Sequence, residues 1–258
     1  MKLKVMTFNL RMDTEADGIN NFPHREPRVL EVIRREKPDL IGFQEATDYI
    51  RGFLKNNLSD DYTVIGCGRQ KDYRGESCCI AFRKSCMELI AFDTHFLSTS
   101  PTTPGSIYAG SDQSKCPRLY VHAELSVDGM AQPIHFFNTH LDHRGPQART
   151  LGMAQILQHL STVQGYSVLT GDMNAHPDTE CIGLTAAMKE KCIKDATAEV
   201  GRTFHNFGRA DDKIVKIDYI FTDATPCEAY AVEDTPVNGV YISDHYPVCA
   251  WIELGEEQ

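Results

Sequence analysis

Short apolar runs rich in Val, Ile, Phe, Tyr and Thr, each bounded by Gly, Pro, Asp or Asn, recur along the whole chain. This pattern predicts strands. They fall at Lys4–Leu10, Leu40–Gln44, Tyr62–Gly66, Cys78–Arg83, Leu119–Leu125, Ile134–Leu141, Tyr166–Thr170, Lys216–Thr222 and Val248–Leu254. Helical spacing is rarer. Pro27–Lys37 places Val29, Leu30, Val32 and Ile33 on one face and meets Pro38 beyond its stop. Pro146–Leu160 repeats Leu151, Ala154, Leu157 and Leu160, and a third helix is expected from near Asp178 to about Lys191. Ser98–Pro117, rich in Ser, Thr, Pro and Gly, reads as a long surface loop. Neither an internal repeat nor a low-complexity linker divides the chain. One domain spanning residues 1–258 is therefore expected, with two packed sheets flanked by helices.

The 258 residues are enough to bury a large core. An excess of 36 acidic over 26 basic residues, a net charge of -10, disfavours a protein that coats nucleic acid, though a local cation can still attract a phosphate. The nine cysteines include no C-x-x-C pair, so buried reduced thiols are expected rather than a zinc ribbon or a disulfide framework. A signal-like N-terminus and a membrane-length apolar run are both lacking. A cytoplasmic, monomeric protein is the expectation.

Six segments end a β-type run with polar groups at a turn: Thr7-Phe8-Asn9, Gly42-Phe43-Gln44-Glu45, Asn138-Thr139-His140-Leu141, Thr170-Gly171-Asp172-Met173-Asn174, Lys216-Ile217-Asp218-Tyr219 and Ser243-Asp244-His245-Tyr246-Pro247. Taken singly, each has an ordinary explanation. Asn9 reads as a turn residue, Glu45 as a helix start, Asp172 and Asn174 as breakers, and Asp244 as a cap. As a set they acquire chemistry. Asn9, Glu45 and Asp244 are hard oxygen donors that suit Mg²⁺ or Mn²⁺. Asp172 beside Asn174 offers an acceptor for a water proton and an amide to place that water. A histidine beside a carboxylate suits a basic or charge-stabilising imidazole. His122, His135 and His159 are assigned to the core edge or the surface.

These six motifs, in this order from Thr7 to about Val248, resemble the endonuclease/exonuclease/phosphatase superfamily. The resemblance implies a four-layer α/β/β/α sandwich of two packed, mainly antiparallel sheets, with the site at one edge. It implies Glu45 as principal metal ligand supported by Asn9, with Asp244 close to the metal. Asp172 would orient or deprotonate the attacking water, and Asn174 would hold that water or a phosphoryl oxygen. His140 and His245 would meet non-bridging oxygens, and Asp218 would fix the His245 ring. Arg11 stands where abasic-site endonucleases carry an acid, and His140 where they carry a tyrosine. Both differences move the match toward a bacterial branch similar to nocturnin-like deadenylases and phosphatases. Asn138–Gly145, Cys116-Pro117-Arg118 and Thr203–Phe207 extend that likeness. Arg11, Arg118 and His205 are the expected substrate contacts. Phe22 and Phe96, where many of that branch carry tryptophan, are assigned to the core.

The expected function is hydrolysis of a phosphodiester or phosphomonoester by in-line attack of activated water, with Mg²⁺ or Mn²⁺ as cofactor. Exonuclease-like action on RNA or oligonucleotides competes with a phosphatase on a small sugar or lipid phosphate. Arg11, Arg25, Arg74, Arg118, Arg144, Arg202 and Arg209 are the basic residues expected along the substrate path, and their scatter suits a compact anion at least as well as a polymer. A non-catalytic binding protein on the same fold is the third reading. It conflicts with the presence of Glu45, Asp172 and His245.

Overall fold

Alternation along the strands decides which layer each residue joins. In the computed structural model, which describes residues 1–188, 190–209 and 215–255, β1 (Lys2–Asn9) turns Leu3 and Val5 toward a second sheet and Met6 and Phe8 toward two helices. Those helices are α1 (Phe22–Glu36) and α2 (Asp48–Asn57). The remaining strands of the first sheet are β2 (Leu40–Gln44), β3 (Tyr62–Ile65), β4 (Ile80–Arg83), β11 (Thr225–Ala231) and β12 (Val248–Glu253), in the order β11-β12-β1-β2-β4-β3. The second sheet runs β5-β6-β7-β8-β10-β9. Its strands are β5 (Met87–Phe96), β6 (Leu119–Val127), β7 (Ile134–His140), β8 (Tyr166–Asp172), β9 (Lys194–Asp195) and β10 (Asp218–Thr222). Its outer face carries α3 (Pro146–Leu160) and α4 (Glu180–Ala187). Among the described residues only β1–β2 and β7–β8 pair in parallel, so the chain is the expected mainly antiparallel α/β/β/α sandwich.

In β1, β7 and β8 the face that meets the other sheet changes from apolar to polar as it approaches one rim. In β1 the series is Leu3, Val5, Thr7, Asn9, and in β7 it is Ile134, Phe136, Asn138, His140. In β8 it is Val168, Thr170, Asp172. The site is thus the polar end of the inter-sheet core. A buried hydrogen-bonded layer lies just beneath it. Gln44 Nε2 donates to Asn138 Oδ1 (2.7 Å), Thr170 Oγ1 donates to the same oxygen (3.1 Å), and Asn138 Nδ2 donates to the Phe43 and Cys79 carbonyls (2.8 and 2.9 Å). Gly42 opens the space for it, since a Cβ there would lie 2.1 Å from Thr170 Oγ1.

Helix α1 starts at Phe22, five residues before the expected Pro27. Asn21 caps it by accepting from the Phe22 amide, and Pro23 stands in its first turn. It stops at Lys37, which adopts left-handed geometry (φ 48°) before Pro38. Helix α4 ends at Ala187, short of the expected Lys191, and residue 189 of that stretch lies outside the described residues. Strands β5 and β11 and helix α2 were not anticipated. The two strands are sheet edges whose partly solvated faces break apolar alternation, and α2 buries only Ile50 and Leu54. Phe22 and Phe96 are buried, as assigned; all nine cysteines are free thiols, but against expectation only Cys78, Cys79, Cys181 and Cys249 are buried, and Cys192 and Cys227 are exposed. Among the described residues no helix is long and apolar enough to cross a membrane.

Candidate active site

Strand ends deliver the expected residues to one open cleft of about 620 Å³, whose lining includes Glu45, His140, Asp172, Asn174, Asp244 and His245. Asn9 and Asp218, each about 1% exposed, stand directly behind it. The Asn9 amide spans two carboxylates, donating to Asp172 Oδ2 (2.9 Å) and Glu45 Oε1 (3.3 Å), while its own oxygen accepts from the Arg11 amide (2.9 Å). Glu45 Oε2 accepts from the Met12 amide at 3.0 Å. The loop after β1 therefore fixes Glu45 from below. Asn174 leaves β8 in a left-handed turn (φ 48°), with its amide donating to Asp172 Oδ1 (2.9 Å) and its side chain donating to the Leu141 carbonyl (3.1 Å). The turn reading and the site reading of this pair are the same structure.

Left-handed backbone at residues other than glycine gathers around this cleft. Arg11, Glu45, Asn174, Asn206 and Phe207 all have φ between 48° and 58° and all line it. Such geometry is held only where surrounding contacts over-determine it, and it concentrates at functional sites.

The two histidines sit in opposite electrostatic settings. His140 is buried beside Arg118 and Arg69, and its pKa falls well below the usual value, first through burial and then through those guanidiniums. It is neutral at pH 7, with Nε2 3.4 Å from Asp172 Oδ2. For His245, burial works against charge. The Asp218 carboxylate outweighs it by charge and by a 2.9 Å hydrogen bond to Nδ1, with Asp172 and Asp244 adding to it, so the pKa is pushed up to about 10. His245 Nε2 stands 3.8 Å from Asp172 Oδ2 and 4.0 Å from Asp244 Oδ1. Asp172 is itself pushed up to about 7, chiefly by burial and then by Asp218. Burial also raises Asp244, with repulsion from Glu45 acting in the same direction. Buried carboxylates that repel one another, all hard oxygen donors, fit a divalent cation at this rim.

The expected substrate contacts divide. Arg118 lines the cleft almost fully buried, its Nη2 3.0 Å from His143 Nδ1 and its Nε without a hydrogen bond. Arg11 also lines it, bonded to Asp17 through Nε (2.8 Å) and 3.9 Å from both Glu45 and Asp244. His205 does not line it. Its ring is buried against Tyr246 and Tyr241, at 4.3 and 5.3 Å between centroids. Arg25, expected on the substrate path, is fully buried and bonds four backbone carbonyls. Sequence reasoning missed Arg69, Glu76 and His143. Arg69 pairs with Glu76 and, like Arg118, keeps its Nε free of hydrogen bonds beside His140. Arg69 and Glu76 flank a turn between β3 and β4, where nothing in the local pattern signals a site.

The molecule is thus two mixed sheets packed face to face, with carboxylates and histidines gathered at one rim. The family model for the endonuclease/exonuclease/phosphatase family matches residues 6–245, and the chain belongs to that family. Among solved structures it is similar to an endonuclease/exonuclease/phosphatase from Bacteroides vulgatus, with a TM-score of 0.90 and 28% identity over 99% of this chain and 100% of that one. A mannosyl-6-phosphatase from Bacteroides thetaiotaomicron shares the fold at a TM-score of 0.85 and 22% identity, over 96% and 98%. The human Nocturnin catalytic domain shares it at 0.76 and 18%, over 98% and 93%. No curated protein matches the chain in sequence.

Proposed function

We propose that this protein is a divalent-metal-dependent phosphoesterase that hydrolyses a compact phosphate ester by in-line attack of water. The observation that carries this reading is the placement of Asp172, desolvated and tied to Asn9, between the Nε2 atoms of a neutral His140 and a protonated His245. Glu45 and Asp244 would hold the cation, Mg²⁺ or Mn²⁺, with Asn9 fixing Glu45. When bound, that ion neutralises phosphoryl charge and polarises the phosphorus centre. Asp172, buried and held by the Asn9 amide and the Asn174 backbone, takes the proton of the attacking water. Asn174 lies beside it to position that water. His140 donates a neutral N–H, and His245 a charged one, to non-bridging oxygens as negative charge grows. Asp218 holds the His245 ring in register for this.

The nearby guanidiniums Arg11, Arg69 and Arg118 suit one compact dianion, and the net charge of -10 disfavours a long polyanion. A small sugar phosphate or similar monoester is the preferred substrate class. A nucleolytic reading rests on Phe204 and Phe207 in the cleft wall, where an aromatic ring can stack on a base. The test is a panel of sugar phosphates, phospholipids, dinucleotides and RNA oligonucleotides assayed with Mg²⁺, with Mn²⁺ and with EDTA. Metal-dependent turnover of the sugar phosphates, lost in Asp172→Ala, is expected. EDTA-insensitive turnover overturns the mechanism, preference for oligonucleotides favours the nucleolytic reading, and no turnover at all favours a binding protein.

A further inference from the structure

The outer face of the second sheet gathers four histidines that have no part in the cleft. Strand register brings them together. Asp93 of β5 pairs with His122 of β6, His95 with Tyr120, and His122 with Phe137 of β7, while His159 reaches the same patch from the last turn of α3. The rings are packed on one another: His95 lies 5.1 Å from Tyr120 and 5.2 Å from His159, and His122 lies 4.8 Å from His159, between centroids.

Hydrogen bonds orient this cluster from behind. His135 Nε2 donates to the Gln164 carbonyl (2.7 Å), which can only accept. His122 Nε2 lies 3.0 Å from His135 Nδ1, and His122 Nδ1 lies 3.0 Å from Asp93 Oδ2. One carboxylate oxygen is thereby fixed. The other, Asp93 Oδ1, faces His95 Nε2 at 2.6 Å. On the far side the Tyr120 hydroxyl holds His159 Nδ1 at 3.1 Å. Asp93, His95 and His159 each present one ligand atom, and the three atoms lie within 4.8 Å of one another.

We propose that Asp93, His95 and His159 form a second cation site, of the zinc class, joining edge strand β5 to the end of α3. Two imidazoles and one carboxylate are the donor set that borderline cations such as Zn²⁺ and Co²⁺ prefer, with water completing a tetrahedron. It differs from the oxygen-rich cleft, which suits a hard cation. His122 and Tyr120 supply the backing contacts that orient metal ligands and sharpen affinity. His159 reads from the sequence as a core-edge or surface residue, because it stands more than sixty residues from Asp93 and His95, on a helix rather than on their strand, and no local spacing links the three.

The full-length protein, held in excess Mg²⁺ to occupy the cleft, would be titrated with Co²⁺ and the visible spectrum followed. One equivalent should bind with the d–d absorption of nitrogen and oxygen ligation, without a thiolate charge-transfer band, and one equivalent of Zn²⁺ should displace it. His95→Ala and His159→Ala should each weaken binding by at least about ten-fold, the scale of lost ligand support. Glu45→Gln should leave it unchanged. Binding that persists in His95→Ala, that disappears in Glu45→Gln, or that needs millimolar Co²⁺ overturns the proposal. Should His159→Ala fail to fold by circular dichroism, His95→Ala on the partly exposed edge strand decides the matter alone.

Discussion

His245 Nδ1 and Asp218 Oδ2 stand 2.9 Å apart with both side chains buried, and this contact sets the charge of the imidazole. Burial would depress His245, but Asp218 and the neighbouring carboxylates raise it to about 10. A base whose native pKa lies above its unfolded value of about 6.5 adds stability that is complete below that pH and lost as pH rises through the native value. In EDTA, Asp218→Asn should therefore be less stable than the wild type at pH 6.5, by on the order of 3–5 kcal/mol for a broken buried pair. The gap should narrow steadily toward pH 10. Urea unfolding across that range checks it, and a gap that does not change with pH rejects the pairing as its cause.

Asp172 makes the opposite kind of contribution. As an acid raised to about 7 by burial and Asp218, it favours the native state most at low pH, and that contribution falls as pH rises from its unfolded value of about 3.9 through 7. Asparagine keeps the shape without the charge. Asp172→Asn should lower kcat by about 10²- to 10⁴-fold, the range for a lost general base. Its Tm at pH 8 in EDTA should be no lower than that of the wild type, as expected where a site is built at a cost in stability. Near-normal kcat, or a collapse of Tm at pH 8, would count against a catalytic carboxylate here.

The strands that carry the cleft could be read from the chain because their alternation is strong and their polar residues fall at i and i+2 near one end. Asn138 and His140, like Thr170 and Asp172, show the pattern directly. Order along the chain then tied Asn9, Glu45, Asp218 and His245 into one set. What stayed hidden depends on partners distant in sequence. Arg69 reaches His140 only because β3 and β4 pair beside β2, and edge strands β5 and β11 lack the apolar face that alternation requires. Arg25 misled for a related reason. Standing before the expected helix start at Pro27, it reads as a cation free to meet substrate, and nothing local reveals the four carbonyls that accept from it.

Those carbonyls make Arg25 a brace for the cleft. Its guanidinium bonds Asn20 O and Leu10 O (both 2.6 Å), Ile242 O and Arg11 O (both 2.8 Å). It thus joins the loop after Asn9 to the segment before Asp244 and His245. Burial lowers its pKa to about 10, so it remains charged at pH 7. Arg25→Met keeps much of the stem but leaves the carbonyls without donors. A loss of roughly 3–5 kcal/mol follows, since each buried unsatisfied group costs about 1–3 kcal/mol and some relax toward water. Urea unfolding measures this directly. A loss below about 1 kcal/mol would show that the carbonyls find other donors.

Gly42 tests whether the polar layer beneath the cleft positions the catalytic strands. A Cβ built there would lie 2.1 Å from Thr170 Oγ1 and 2.5 Å from Asn138 Oδ1, and neither atom is a flexible chain end. Thr170 and Asn138 hydrogen-bond each other, and each stands two residues before a site residue, Asp172 and His140. Overpacking of a tight core costs typically about 1–3 kcal/mol, and here the sheets must also part at the rim. Gly42→Ala should lose about 2–3 kcal/mol by that measure and should lower kcat more than it alters KM, because displaced strands disturb geometry more than ground-state contacts. Thr170→Ala removes the nearest obstructing atom. The double variant Gly42→Ala/Thr170→Ala should therefore be less destabilised than the two single changes add up to, a coupling that a double-mutant cycle reads. Strict additivity would mean that the close approach of Gly42 to Thr170 does not hold the sheets in register.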